Sequence, residues 1–85
     1  MHYEQNLEFR LRRVGTRSFL IRSNSAIELS GVGEEIWKRL EQSTTVDDIT
    51  AALAAEYDAE PEVIRYDVSD FIDTLEAEGA VIALQ

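Results

Sequence analysis

Cysteine is absent from this 85-residue chain, and histidine and proline occur once each. Without cysteine there is no disulfide, no thiolate nucleophile and no thiolate metal ligand. The single histidine, His2, lies at a terminus that we expect to be frayed, so it cannot serve as a positioned general base. We therefore expect no enzymatic activity, no cofactor and no metal site.

Long apolar runs are also missing. No stretch approaches the roughly 20 apolar residues that span a bilayer, and residues 1–6 are polar, without the apolar core of a signal peptide. The length predicts one domain over residues 1–85. We expect a soluble cytoplasmic protein that does not bind membranes.

Positive charge is scarce and unevenly placed. The net charge is −9, with five arginines against two glutamates in residues 1–27 and three basic residues against fifteen carboxylates in residues 28–85. Binding to nucleic acid depends on lysine and arginine displacing counterions from phosphates. The segment 61–78 carries six carboxylates against Arg65 alone, so we expect no nucleic acid partner.

The first third of the chain has the period-two alternation of half-buried strands. Turn-forming residues interrupt this pattern at 14–17 and 23–25. The sequence therefore predicts a three-stranded antiparallel meander with strands at residues 7–11, 18–22 and 26–29.

A period of 3.6 residues follows Ser30 and predicts three helices. Val32, Ile36 and Leu40 share one face of the first helix. Thr45 resembles the capping residue of the second helix, which runs to about Tyr57 with that tyrosine on its inner face.

The third helix is predicted to begin at Pro61 and to close at Gly79. The apolar tail 80–84 either docks on the core or returns as an extra strand. The predicted fold is an α+β, winged helix-turn-helix-like domain in which three strands precede three helices.

Three blocks resemble the PqqD-like family: IELSGVGEEIW at 27–37, TVDDI at 45–49 and DVSDFIDTL at 67–75. Their order and spacing match the family's pattern across residues 7–82, with Ser30 where the family prefers asparagine. That family includes the recognition elements of ribosomally made, modified peptides (RiPPs). The chain is most similar to the stand-alone leader-binding proteins of lasso-peptide pathways.

The resemblance implies a winged helix-turn-helix-like fold and a non-catalytic adaptor role. A precursor leader peptide would add as a strand beside the third strand, in the groove between that strand and the third helix. The adaptor would then deliver it to a leader peptidase or another modifying enzyme. The peptide-binding residues so implied are Ala26, Ile27, Glu28, Leu29, Ile64, Asp67, Val68, Phe71, Ile72 and Leu75.

Helical geometry separates the candidates on the third helix. Ile64, Val68, Phe71 and Leu75 fall within a narrow arc at about 100° per residue, which is typical of a core face. Ile72 lies at one flank, beside Arg65, and is expected to line the groove. Asp67 lies at the opposite flank, where it can pair with a basic or hydroxyl-bearing leader residue, and the sequence leaves open which flank meets the ligand.

Three alternatives remain open. The chain can be a PqqD-type peptide chaperone for pyrroloquinoline-quinone biosynthesis, since that protein belongs to the same family. The helix order also fits a winged-helix DNA-binding regulator, against which the acidic third helix argues. Finally, a sheet edge can pair with a second copy of the chain, as in a dimerisation module.

Overall fold

The computed structural model of the chain describes residues 1–84. The strands are β1 (His2–Gln5), β2 (Arg10–Val14), β3 (Arg17–Arg22), β4 (Ser25–Leu29) and β5 (Val81–Leu84). The helices are α1 (Gly33–Arg39), α2 (Val46–Tyr57) and α3 (Pro61–Ala77). The α+β class, the antiparallel sheets and the three helices are confirmed, but the predicted order lacked two of the five strands.

The meander is the three-stranded sheet β2-β3-β4, in which both neighbouring pairs run antiparallel. Two-residue turns close its hairpins, since Val14 pairs with Arg17 and Arg22 pairs with Ser25. Gly15 occupies the first turn at a φ of 63°, a conformation that glycine adopts without a steric penalty. The meander starts later than predicted, at residue 10 instead of residue 7.

A turn anchored by Asn6 displaces the start of that strand. Asn6 Oδ1 accepts the N–H of Glu8 at 3.0 Å, and Asn6 Nδ2 donates to the Gly79 carbonyl at 2.9 Å. Asparagine favours such turns because its side chain hydrogen-bonds nearby backbone. Leu7 is consequently 85% exposed, whereas Phe9 is buried; the prediction that Leu7 begins an inward-facing strand is wrong.

The prediction of a frayed N-terminus is also wrong. β1 pairs antiparallel with β5, with His2 opposite Leu84 and Gln5 opposite Val81. On its other side, Tyr3 exchanges backbone hydrogen bonds of 2.7 and 3.0 Å with Thr44 in the loop before α2. Main-chain pairing on both sides orders this polar segment, which has no apolar alternation to signal a strand. The tail therefore returns as an extra strand.

Local signals fixed the helix ends. The Thr45 hydroxyl accepts the N–H of Asp48 at 3.0 Å as the N-cap of α2, and such caps are worth about 1 kcal/mol. Pro61 is the first residue of α3. At its end, Gly79 adopts a φ of 82° while the Ala80 N–H reaches the Leu75 carbonyl at 2.8 Å, which is a Schellman ending that turns the chain into β5.

The core lies between the meander, the three helices and the β1–β5 pair. Leu20, Ile36, Leu40, Ile49, Leu53, Val68, Ile72 and Leu75 are each at most 1% exposed. Tyr57 is 51% exposed, so its predicted place on the inner face of α2 is wrong; α2 ends directly after it, where Asp58 turns left-handed at a φ of 51°. No helix within residues 1–84 is both long and apolar enough to cross a bilayer.

Candidate functional site

The outer edge of β4 is vacant. Within residues 1–84, β4 pairs with β3 alone, and the C-terminal strand pairs with β1 in a separate sheet. An edge strand carries a row of backbone N–H and C=O groups without partners. The C-terminal strand therefore leaves the outer edge of β4 open, and another strand can pair there.

The register identifies which backbone groups face outward. In an antiparallel hairpin with a two-residue turn, the closing pair is hydrogen-bonded and the pattern then alternates. Because Arg22 and Ser25 close the hairpin, Ser25, Ile27 and Leu29 direct their backbone groups toward β3. Ala26 and Glu28 direct theirs away from it. The free edge thus offers two donors and two acceptors.

A cleft separates the segment after β4 from α3. One hollow of about 290 Å³, here called the acidic hollow, is lined by Ser30, Gly31, Val32, Gly33, Ile36, Asp67, Asp70, Phe71 and Thr74. A second hollow of about 200 Å³, the apolar hollow, is lined by Val32, Leu53, Tyr57, Ile64, Asp67 and Val68. The two share Val32 and Asp67, so they form one continuous depression along α3.

The cleft continues toward the sheet. A third hollow lies at the end of the sheet and is lined by Thr16, Arg17 and Ser18 around the start of β3, by Glu28 and Leu29 of β4, by Ser30 to Val32, and by Glu34, Glu35 and Tyr57. Its walls share Val32 with both hollows on α3. The end of β4 and the face of α3 therefore adjoin through the turn that follows β4.

Gly33 allows α3 to approach this turn closely. A Cβ atom at position 33 would lie 3.1 Å from Cζ of Phe71 and 3.4 Å from Cβ of Leu29. Contacts below 3.4 Å force the neighbour to shift. The absence of a side chain at Gly33 thus lets the Phe71 ring rest beside the end of β4, where it forms a wall of the acidic hollow.

The orientation of α3 decides which of its candidate residues reach the cleft. Val68, Ile72 and Leu75 are 0% exposed and belong to the core. Ile64 and Phe71 are partly buried and pack against the edge of that core, and Asp67 is exposed. The cleft lies on the Asp67 flank, and the expectation that Ile72 borders a groove on the other flank is wrong because Ile72 packs wholly inward.

The four candidates on β4 alternate as a strand requires. Ile27 and Leu29 point toward the core, the second being 6% exposed, while Ala26 and Glu28 lie on the outer face. The Glu28 carboxylate accepts two hydrogen bonds from Arg17, at 2.7 and 2.9 Å, and this pairing lowers the pKa of Glu28. At this position the backbone, not the side chain, faces the vacant edge.

A second carboxylate secures the first turn of α1 to the meander. Glu34 accepts hydrogen bonds from Arg13 on β2 and from Ser18 Oγ on β3, the latter at 2.6 Å, and Lys38 Nζ lies 3.4 Å away. The Arg13 hydrogen bond is the main cause that lowers the pKa of Glu34 to about 2, followed by the one from Ser18. This cluster holds the β4–α1 turn in place beside the cleft.

Several residues of the cleft are not among those predicted from the sequence. Val32 was assigned to the core face of α1, but it is 36% exposed and lines all three hollows. Asp70 and Thr74 lie three and seven residues after Asp67, so helical spacing places all three on one face of α3. Once Asp67 is a candidate, this spacing is sufficient to predict the other two. Nothing in the local pattern around Tyr57 indicated its position at the rim.

Comparison with known proteins identifies the family. Residues 12–81 match the family of coenzyme PQQ synthesis protein D (PqqD). The chain belongs to the PqqD family. The resemblance inferred from the three sequence blocks is thus confirmed. None of the curated proteins matches the chain.

Two solved structures share the fold of this PqqD family member. The PqqD truncation of Methylobacterium extorquens PqqCD, solved by solution NMR as a functional, stand-alone RiPP recognition element, superposes with a TM-score of 0.82 at 20% identity, covering 96% of this chain and 89% of that one. TbiB1 in complex with the TbiA(beta) leader peptide gives a TM-score of 0.79 at 20% identity, covering 96% and 98%. At this identity the likeness establishes a common fold.

Proposed function

We propose that this PqqD family member is a non-catalytic adaptor. It binds the leader segment of a ribosomally made precursor peptide as a strand added to β4 and presents that precursor to a modifying enzyme. The observation that carries the proposal is the vacant outer edge of β4 beside a cleft on α3. These two features support strand addition, since such a site draws affinity from a backbone edge and selectivity from side-chain pockets beside it.

The edge chemistry favours an extended peptide over other ligands. The outward N–H and C=O groups of Ala26 and Glu28 repeat at the two-residue spacing of a β-strand. An incoming strand satisfies all four groups, and every second side chain then projects toward α3. Ile64 and Phe71, which are partly exposed at the cleft, are the apolar surfaces available to those side chains.

The two related structures support the proposal that this chain binds a leader peptide. One is described as a functional RiPP recognition element and the other was solved with a leader peptide bound. We carry leader binding over to this chain as a proposal because its own vacant edge and cleft meet the physical requirements of that function. The predicted contacts that remain open to a ligand are Ala26, Glu28, Ile64, Asp67 and Phe71.

The finer proposal is a lasso-peptide pathway with a separate leader peptidase as the enzyme served. The alternative within the family is a peptide chaperone for pyrroloquinoline-quinone biosynthesis. Neighbouring genes distinguish the two: a short precursor next to a protease and a cyclase indicates the first pathway, and a radical enzyme that acts on a precursor indicates the second.

The vacant edge also favours one competing function, self-pairing. Two copies joined through β4 would complete each other's edges. Sedimentation velocity across a range of protein concentrations tests this possibility. A concentration-dependent dimer that dissociates when peptide is added would still agree with the adaptor, whereas a stable dimer that excludes peptide would replace it.

A peptide selection tests the adaptor proposal directly. The full chain is immobilised and panned against a display library of random 12-residue peptides, and selected sequences are synthesised and titrated into the protein by fluorescence anisotropy. We expect saturable binding that ¹⁵N shifts map to Ala26, Glu28 and the α3 cleft. If no peptide is recovered, or if the shifts map elsewhere, the proposal fails.

A further inference from the structure

Two carboxylates in the cleft have no charged partner. Asp67 and Asp70 are exposed, and within residues 1–84 their side chains form neither an ion pair nor a hydrogen bond. By contrast, each of the arginine-paired carboxylates lies outside the α3 hollows. The basic side chain that lines the third hollow, Arg17, is already held by Glu28. The groove that would receive the leader therefore carries two carboxylates without a basic partner, next to apolar surface.

An aromatic ring lies on the same stripe of the helix. Asp67, Asp70, Phe71 and Thr74 are spaced three, four and seven residues apart, which places them on one face of α3, and all four line the acidic hollow. An arginine side chain combines the features that match this face. Its apolar stem packs on hydrocarbon, its guanidinium stacks on an aromatic ring, and its planar fork donates to carboxylates.

The molecule uses the same combination elsewhere. The Arg17 guanidinium carbon lies 5.3 Å from the centre of the Phe19 ring, and the same guanidinium donates two hydrogen bonds to Glu28. A ring and a carboxylate on neighbouring strands are thus sufficient to hold an arginine in this fold. The acidic hollow presents a ring and two carboxylates with no arginine between them.

We propose that the acidic hollow receives a basic side chain of the bound segment, with arginine preferred over lysine, so that the protein selects cationic leaders and discriminates against acidic ones. This inference rests on the proposed function. The apolar hollow adjoins it through Val32 and Asp67. Because alternate residues of a strand project to the same side, a preferred leader carries an apolar and a basic residue two positions apart.

Peptides recovered in the selection described above provide the test. For the tightest binder that contains a basic residue, versions with arginine, lysine, citrulline or glutamate at that position are titrated at low and high salt. Stacking and an exposed ion pair together predict that arginine binds about three- to thirtyfold more tightly than the neutral citrulline. We expect lysine to be intermediate and glutamate to be weakest, with smaller differences at high salt.

Protein variants localise the effect. Asp67→Asn and Asp70→Asn combined should abolish the difference between arginine and citrulline peptides while the citrulline peptide still binds. Asp73→Asn, which removes the same type of charge from an exposed position outside the hollows, is the matched control and should preserve that difference.

The outcomes separate this inference from the function on which it rests. Selected peptides without basic residues, or an arginine preference that survives in the double variant, overturn the cationic preference. In either case, leader binding stands as long as peptides bind at β4. If no peptide binds β4 at all, the adaptor function fails first, and the charge preference falls with it.

Discussion

The backbone N–H of Glu28 provides the sharpest test of strand addition. The register directs this N–H to the vacant edge, so Glu28→Pro removes a donor that the β3–β4 ladder does not use. Proline is tolerated on edge strands when its missing N–H faces solvent. The variant should therefore fold, with a thermal midpoint close to that of the parent chain.

The expected loss of peptide affinity follows from counting backbone groups. An added strand makes up to four main-chain hydrogen bonds with Ala26 and Glu28, each worth about 0.5–1.5 kcal/mol net. Proline at position 28 deletes one of these hydrogen bonds, and its ring occupies the space of the peptide carbonyl that would have accepted it. The neighbouring hydrogen bond is therefore strained as well. A loss of about 1.4 kcal/mol or more corresponds to at least a tenfold weaker Kd.

Fluorescence anisotropy with a labelled peptide measures this change, and Glu28→Ala is the matched control. Alanine removes the ion pair with Arg17 but keeps the N–H, so its Kd should stay within about twofold of the parent value because exposed ion pairs contribute little. A folded Glu28→Pro protein that binds as tightly as Glu28→Ala would refute the assignment of β4 as the strand-addition edge.

Three further predictions concern the free protein and its stability. In hydrogen exchange, the amides of Ala26 and Glu28 should exchange rapidly and become protected when peptide binds, whereas that of Ile27 should be protected throughout; equal protection of all three without peptide would contradict the register. Because the pKa of Glu34 is lowered to about 2, its carboxylate stabilises the fold fully above the unfolded-state pKa of about 4.5, and this stabilisation is lost as the pH falls toward about 2. The Tm of Glu34→Gln should therefore lie below that of the parent chain at pH 7, and the difference should shrink as the pH falls from about 4.5 to about 2. A Tm difference that does not change with pH would show that the ion cluster is not its source. Asn6→Ala should destabilise the fold by about 1–2 kcal/mol in urea titrations because it removes the side-chain hydrogen bonds to the Glu8 N–H and to the Gly79 carbonyl. An unchanged midpoint would mean that the turn forms without them.

The basic outer face of the meander is compatible with these assignments. Arg12 and Phe19 are opposite each other, and their side chains project away from the core face that carries Leu20. Positive residues on an exposed sheet discourage edge-to-edge aggregation. The cationic preference proposed for the leader concerns the opposite side of the sheet, where the free carboxylates of α3 lie.

Local chemistry made much of the fold predictable. The Thr45 cap, the start of α3 at Pro61 and its close at Gly79 each depend on residues within one turn of the helix end, and the structure places all three as expected. The period-two pattern likewise predicted the meander. The family blocks carried the functional hypothesis, since no arrangement of catalytic residues did.

Contacts between distant segments cannot be predicted from local sequence patterns. β1 exists because backbone groups of residues 2–5 meet residues 81–84 at the other end of the chain, and no pattern within HYEQ encodes that meeting. The same pairing keeps the tail away from β4. Whether the edge of β4 is vacant was therefore decided by tertiary structure, although the strand itself was predicted from its sequence.

The rotation of α3 shows the same division. Its sequence determined that an apolar stripe faces the core, but five apolar residues span more of the helix surface than the core covers. Packing against α2 and β5 turned Ile72 fully inward and left Phe71 and Asp67 toward the cleft. Sequence periodicity sets which residues share a face, because that depends on the helix alone; only the packing of neighbouring elements decides which flank stays open to a ligand.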